Sequence, residues 1–324
     1  MKNFFLILVI LAIIAAGVVE WGYAAFNAPG PAAKDGKETV VVIKPGGSRS
    51  IAESLKTAGV IERPEVFAIG SRVFGHGGAL KAGEYAIPSR ASMRNIMEIL
   101  IGGHSIQHKV TVAEGLTSQM VYDIVKADEV LVGDAGAVPA EGSLLPETYL
   151  FQRGETRKDL LAKMKKAQKE VLDQLWEGRA PNLPIKTKKE ALILASIVEK
   201  ETGVPSERPH IAAVFMNRLR IGMKLQSDPT IIYGITKGYP IGRRINRSEI
   251  DAATPYNTYV ITGLPPEPIC NPGKDAIAAV LNPIESKDLY FVANGTGGHV
   301  FAETVEAQNK NVAAWRKIHI GEGK

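Results

Sequence analysis

Residues Phe4 to Val19, FFLILVILAIIAAGVV, form an unbroken apolar run near the start of the 324-residue chain. A helix of that length rises about 24 Å at 1.5 Å per residue. Glu20 interrupts the run, and Trp21 to Phe26 continue it. Glu20 can snorkel, and Trp21 and Tyr23 suit the interfacial belt, so residues 4–26 can cross a hydrocarbon core about 30 Å thick. No polar position punctuates the run to give it a solvent face, which argues against a core helix. A cleaved signal peptide would have a shorter apolar core and a small-x-small site. Tyr23, Ala24 and Ala25 make a poor one, so the expectation is an uncleaved anchor. Lys2 lies before the run and the next basic residue is the distant Lys34. The positive-inside bias puts residues 1–3 in the cytoplasm and the remaining chain outside the membrane. Residues 27–37, rich in Pro, Gly and Ala, read as a spacer.

The composition of the whole chain is that of a folded protein: 45% hydrophobic and 23% charged residues, enough to bury a sizeable core. The net charge of +5 is mild and dispersed, so nucleic acid is not an expected partner. One cysteine, Cys270, excludes disulfide frameworks and Cys-ligated metal within the chain and reads as a small packed hydrophobe. Of the histidines, His76, His104, His108, His210, His299 and His319, only His104 and His108 stand four apart, as HSIQH, without the glutamate that H-E-x-x-H zinc hydrolases carry. Neither a G-x-S-x-G elbow nor a phosphate-binding glycine loop is present. No metal or organic cofactor is expected.

Strand and helix signals alternate from there. Val40 to Ile43 reads as a strand. Ser50 and Glu53 read as a capping box for a helix over 51–58, closed by Gly59. A helix follows Pro64, a strand covers 82–87, and Ser92 starts another helix ended by Gly102 and Gly103. Gly46, Ser48, Ile51, Leu55 and Ala58 recur as Gly115, Thr117, Met120, Ile124 and Ala127 at a constant offset of 69. That echo fits either a duplicated module or two ordinary strand–helix units. Residues 158–175 form an amphipathic helix, and Thr187 with Glu190 is a second capping box. Residues 226–271 read as loop-rich, with Pro229, Pro240, Pro255, Pro265 and Pro266, 275–281 as a short helix, and 289–293 with 299–301 as a hairpin before a helix capped by Thr304.

The helix opened by Thr187 is apolar all round from 191 to 198, as a buried helix is. A carboxyl group at its far end is partly desolvated, which raises its pKa and suits it to general acid work. Glu199 and Glu201 are the candidates. They lie about 200° apart around the helix and cannot share one substrate atom. Glu199 stacks on Leu192, Ala195 and Ser196, small residues that leave room for a ligand. Glu201 stacks on Glu190, Leu194 and Ile197, a stripe that reads as an exposed edge. The plain alternative for either is a solvated residue or a salt bridge, with Lys200 or Arg208 as partner. Downstream, Gln226, Ser227, Asp228, Asn257 and Tyr259 gather amides, hydroxyls and a ring that can hold sugars, though turn chemistry alone also uses such residues.

LASIVEKET (Leu194 to Thr202), NRLRIGMKLQSDPTIIYG (Asn217 to Gly234), TPYNTYVITGLPPEPICNPG (Thr254 to Gly273), LYFVANGTGGHVF (Leu289 to Phe301) and EGSLLPETYLF (Glu141 to Phe151) resemble the motifs of the endolytic murein transglycosylase family, MltG or YceG-like, in order from about Lys37 onward. The resemblance implies an α+β protein: the N-terminal transmembrane helix, a small LysM-like α/β domain over 38–107, and a larger mixed α+β catalytic domain over 108–324. It implies cleavage between N-acetylmuramic acid and N-acetylglucosamine inside peptidoglycan strands, leaving 1,6-anhydro ends. The family glutamate aligns with Glu199, with Glu201 as the fallback, and Glu147 of the upstream motif joins Gln226, Ser227, Asp228, Asn257 and Tyr259 as substrate-binding residues. On that alignment, Glu199→Gln should abolish anhydro products, and full retained activity would move the role to Glu201. The implied setting is the cell membrane (the inner membrane in a Gram-negative cell), with the catalytic domain outside the cytoplasm and penicillin-binding synthases as partners. Two alternatives stand beside it: a non-catalytic peptidoglycan-binding scaffold of the wall machinery, and a hydrolase whose products carry reducing ends.

Overall fold

The computed structural model describes residues 2–74 and 80–321. His76 and the side chain of His319 lie outside the described residues. The protein is mixed α+β, and it divides into two compact units. The first is Met1–His108 with Leu150–Glu155, and the second is Lys109–Tyr149 with Thr156–Lys324.

In the first unit, α1 (Lys2–Asn27) contains a stretch, Phe4–Asn27, long and apolar enough to cross a membrane and exposed from Phe4 to Trp21. After it come β1 (Glu38–Ile43), α2 (Ser48–Thr57), α3 (Pro64–Phe74), β2 (Gly83–Pro88) and α4 (Met93–Gly102). The strands pair antiparallel, Glu38 opposite Pro88 and Ile43 opposite Gly83. Period-two alternation turns Val41 and Ile43 inward while Val40 and Val42 face out. The inner face packs on Leu55, Phe67, Ile96 and Leu100, with Tyr85 fully buried among them. The Ser50–Glu53 capping box is not used. The helix starts three residues earlier, at Ser48 behind Gly47, with no side-chain cap. Gly59 ends it at φ 74°, a left-handed position that glycine takes without steric cost. Ser92 does cap α4, accepting from the Asn95 amide.

Next come β3 (Gln107–Thr111), α5 (Ser118–Ala127) in the second unit, and β4 (Thr148–Gln152), with β3 and β4 forming a two-stranded sheet. Thr117 caps α5, but the echo with α2 stops there. The buried face of α5 is Val121 and Val125, whereas Ile124 is exposed, so the two helices bury different registers.

Then come α6 (Arg157–Glu177), α7 (Lys188–Glu201), a 3-10 turn (Pro205–Glu207), α8 (Arg208–Arg220), α9 (Asp228–Thr236), α10 (Arg247–Ile250), α11 (Lys274–Leu281), the hairpin β5 (Tyr290–Ala293) and β6 (His299–Ala302), and α12 (Val305–Gly321). Helices α9 and α10 interrupt the loop-rich stretch over 226–271. Pro229 falls in the first turn of α9, where a missing amide hydrogen costs nothing. The Thr187–Glu190 capping box is fully formed. Helix α7 is the centre of the unit. Leu194, Ile197 and Val198 pack with Ile211 and Phe215 of α8 and with Ile277 and Val280 of α11. Cys270 is buried, its thiol donating to the Ser196 carbonyl at 3.3 Å.

Candidate functional site

Helix α7 ends at Glu201, and Thr202 is already extended at φ −140°, ψ 135°. The chain then doubles back through the 3-10 turn into α8. That reversal and the loops behind it decide the fates of the two acids, which point to different surroundings as their 200° separation requires.

Glu199 takes the salt-bridge alternative. Its side chain is 4% exposed. Arg208 Nη2, at the start of α8, donates to Glu199 Oε1 at 2.9 Å and to Glu114 Oε2 at 2.8 Å. The Gly273 amide, capping α11, donates to Glu199 Oε2 at 2.8 Å. Burial raises the Glu199 pKa, while the Gly273 amide and the Arg208 guanidinium pull it back. The space read from sequence as room for a ligand is therefore filled by protein. Gly273 makes that fit possible, since a Cβ there would lie 1.9 Å from Glu114 Oε1.

Glu201 is not the exposed edge that its stripe suggested. Ser227, 1% exposed, donates its hydroxyl to Glu201 Oε1. Burial, the dominant cause, pushes the Glu201 pKa from 4.5 up to about 7. The Ser227 hydroxyl opposes the rise, and the nearby Asp228 charge reinforces it. The turn out of α7 folds this side chain under a loop whose Ser227 lies 26 residues later, which helical spacing cannot reveal. Glu201 thus combines two properties of a general acid: a carboxyl group half-protonated near neutral pH, and a position beside surface-facing polar groups.

Those groups come from the 225–228 and 257–259 loops. Gln226 is exposed and sits at φ 52°, a left-handed conformation uncommon for a residue with a side chain. Its amide donates to the Thr258 carbonyl at 3.1 Å. The Ser227 amide donates to Thr258 Oγ1 at 2.9 Å. Asp228 is exposed and accepts from the Tyr259 hydroxyl at 2.7 Å. Asn257 is different. It is fully buried, and its amide donates to the carbonyls of Glu249, Ile250 and Ala252 at 3.1, 2.9 and 2.7 Å. It shapes its loop and has no donor left for a ligand. Glu147 is exposed at the start of β4, where its own carbonyl accepts from the Val112 amide at 3.0 Å. No bond joins it to either helix-end acid.

The sequence reading missed a carboxylate–imidazole pair near Glu201. Glu207, in the 3-10 turn, accepts from the His299 amide at 2.7 Å and pairs with His299 Nδ1 at 2.7 Å. Thr202 Oγ1 donates to the same carboxylate at 3.2 Å. His299 in turn helps to restrain the Glu201 pKa. Gly298 lets Glu207 approach, for a Cβ there would lie 2.6 Å from Glu207 Oε1. The glycine pair before a histidine was visible in the sequence, but it read as hairpin chemistry. Arg218 lies buried behind the site, its Nε donating to the Leu289 carbonyl at 2.6 Å and its charge also drawing the Glu201 pKa down.

Comparison with known proteins places this geometry in context. The chain is 29% identical over 314 residues to the endolytic murein transglycosylase of Bacillus subtilis (strain 168), covering 86% of each protein. It is 30% identical, over an alignment of 357 positions, to the endolytic murein transglycosylase of Streptococcus pneumoniae serotype 2, covering 94% of this chain and 64% of that protein. The chain thus spans a little under two thirds of the pneumococcal protein's length. Among solved structures, a yceG-like protein of Listeria monocytogenes matches with a TM-score of 0.51 and 28% identity, over 85% of this chain and 99% of that one. The YceG-like family profile matches residues 41–314, and the chain belongs to that family.

Proposed function

We propose that this protein is a membrane-anchored lytic transglycosylase that cuts peptidoglycan glycan strands internally, and that Glu201 is its single general acid and base. The observation that carries this reading is the desolvated Glu201 carboxyl, held by Ser227 with a pKa of about 7. The names of the bacillary and pneumococcal relatives support the substrate class.

The chemistry needs one carboxyl group. Glu201, protonated, donates its hydrogen to the oxygen between N-acetylmuramic acid and N-acetylglucosamine as that bond breaks. The resulting carboxylate then takes the hydrogen of the muramic C6 hydroxyl, whose oxygen closes on C1. The product is a 1,6-anhydro end, and no water is consumed. An intramolecular hydroxyl carries a large effective molarity, so the second carboxylate that glycoside hydrolases use to activate water or to attack is dispensable. Glu199 is a positioning residue in this scheme, its charge committed to Arg208 and Gly273. Gln226, Asp228 and Tyr259 line the approach and bind sugar hydroxyls. Asn257 holds the loop that carries Tyr259, and Glu147 contacts the strand away from the reacting bond.

Helix α1 anchors the protein with its amino terminus in the cytoplasm and the chain beyond residue 27 outside. The β–α–α–β order of the first unit supports a LysM-like, glycan-binding reading of residues 38–107. The family resemblance extends this reading to nascent strands cut beside penicillin-binding synthases. The test is the product. Purified protein acting on peptidoglycan should yield fragments ending in 1,6-anhydromuramic acid by mass spectrometry. Reducing ends would assign a hydrolase, and intact strands would leave a scaffold.

A further inference from the structure

Helix α3 lies against the end of α1 in the first unit and leaves an apolar stripe uncovered. Ile69 and Val73 are 63% and 66% exposed, and Phe74 is 40% exposed. Val66, Ile69 and Val73 follow helical spacing on one side of α3, while Glu65 and Arg72 sit about a quarter turn off it.

The stripe's depth can be read from α1. The 20 residues from Phe4 to Tyr23 rise about 30 Å, the thickness of a hydrocarbon core. Tyr23 therefore marks the level where α1 leaves it. Phe74, at the last turn of α3, meets Tyr23 at 6.1 Å and Phe26 at 5.7 Å between ring centroids. Arg63, just before the first turn, lies 5.2 Å from the Trp21 ring. Both ends of an 11-residue helix about 16 Å long thus touch α1 within two to five residues of one another. Helix α3 crosses α1 instead of running along it, and so lies near the membrane plane. Its stripe shares an apolar groove with Val18 and Val19 of the spanning segment.

The junction is fixed. Phe26 is 1% exposed and presses on Gly70, where a Cβ would lie 2.5 Å from the ring. Arg94 Nε donates to Asn27 Oδ1 at 2.6 Å, and its guanidinium lies 5.3 Å from the Phe74 ring. Arg63, Arg72 and Arg94 thus flank the stripe at phosphate level, outnumbering Glu65 of the same helix.

We propose that α3 is an interfacial helix: Ile69, Val73 and Phe74 enter the leaflet facing the folded units, and the three arginines bind lipid phosphates. The first unit is thereby seated on the bilayer at a set orientation instead of swinging on its spacer. This rests on the reading of α1 as a membrane anchor, and the experiment separates the two. The full chain, reconstituted at one copy per nanodisc of phosphatidylethanolamine and phosphatidylglycerol, carries a single fluorophore on a cysteine at Ile10, Ile69, Val73 or Lys44. Lys44 lies at the far end of β1 from the Gly30–Arg90 backbone contact that follows α1. Native Cys270 is buried and does not compete for label. Brominated lipids should quench positions 10, 69 and 73, the last two at least about threefold more than position 44, as expected for side chains set 5–10 Å into the boundary. Strong quenching at 10 with positions 69 and 73 no different from 44 overturns the proposal and leaves the anchor standing. No quenching at 10 overturns both.

Discussion

Replacing Glu201 with Gln should make the second unit more stable at alkaline pH even as it removes the acid. A raised folded-state pKa means that folding favours the neutral carboxyl. The unfolded chain loses its proton near 4.5, the folded one near 7. Stability is therefore complete at low pH and is lost as pH rises through that interval. At about 1.4 kcal/mol per tenfold change in proton affinity, the buried carboxylate costs the fold roughly 1 kcal/mol at pH 5 and roughly 3 kcal/mol at pH 8. Glutamine is nearly isosteric, still accepts from Ser227 and does not titrate. Hydrogen exchange at the core amides of α7, Leu194 to Val198, reads the opening free energy of this unit. Between pH 5 and pH 8 the wild type should lose roughly 2–3 kcal/mol more than the variant. Equal slopes would refute the claim that this carboxyl is desolvated.

Ser227→Ala removes the hydroxyl that holds the Glu201 pKa down, so the basic limb of the pH–rate profile should move up and kcat should fall about tenfold. Gly298→Ala puts a methyl group against Glu207 and should break the Glu207–His299 pair, seen as a shifted His299 imidazole resonance and reduced turnover. Thr187→Ala removes the hydroxyl that receives the Glu190 amide at 3.1 Å and should cost about 1 kcal/mol in urea unfolding, with kcat unchanged.

Much of the frame was legible because its signals are local. The caps Ser92, Thr117 and Thr187, the glycine stop at Gly59, and the alternation around the 294–298 turn each depend on a few adjacent residues. The all-round apolar character of 191–198 announced the central helix. The choice between Glu199 and Glu201 was not legible, because it depends on tertiary partners. Arg208 and Gly273 close on one acid from α8 and α11, and Ser227 shields the other. Asn257 was misread for the same reason, since an amide's availability depends on which carbonyls surround it. Helix α9 was hidden by Pro229, which is a breaker inside a helix and an ordinary residue in its first turn. The unused box at Ser50 and Glu53 shows a local signal overridden by the start that Gly47 sets.

Turnover of Glu199→Gln and Glu201→Gln, measured side by side on peptidoglycan with anhydro ends counted by mass spectrometry, tests the central assignment most directly. Loss of the acid should reduce kcat by at least about 100-fold for Glu201→Gln, the usual weight of a general acid. Glu199→Gln should keep measurable turnover, its defect following the weakened Arg208 contact. Wild-type turnover in Glu201→Gln, with none in Glu199→Gln, would contradict the account.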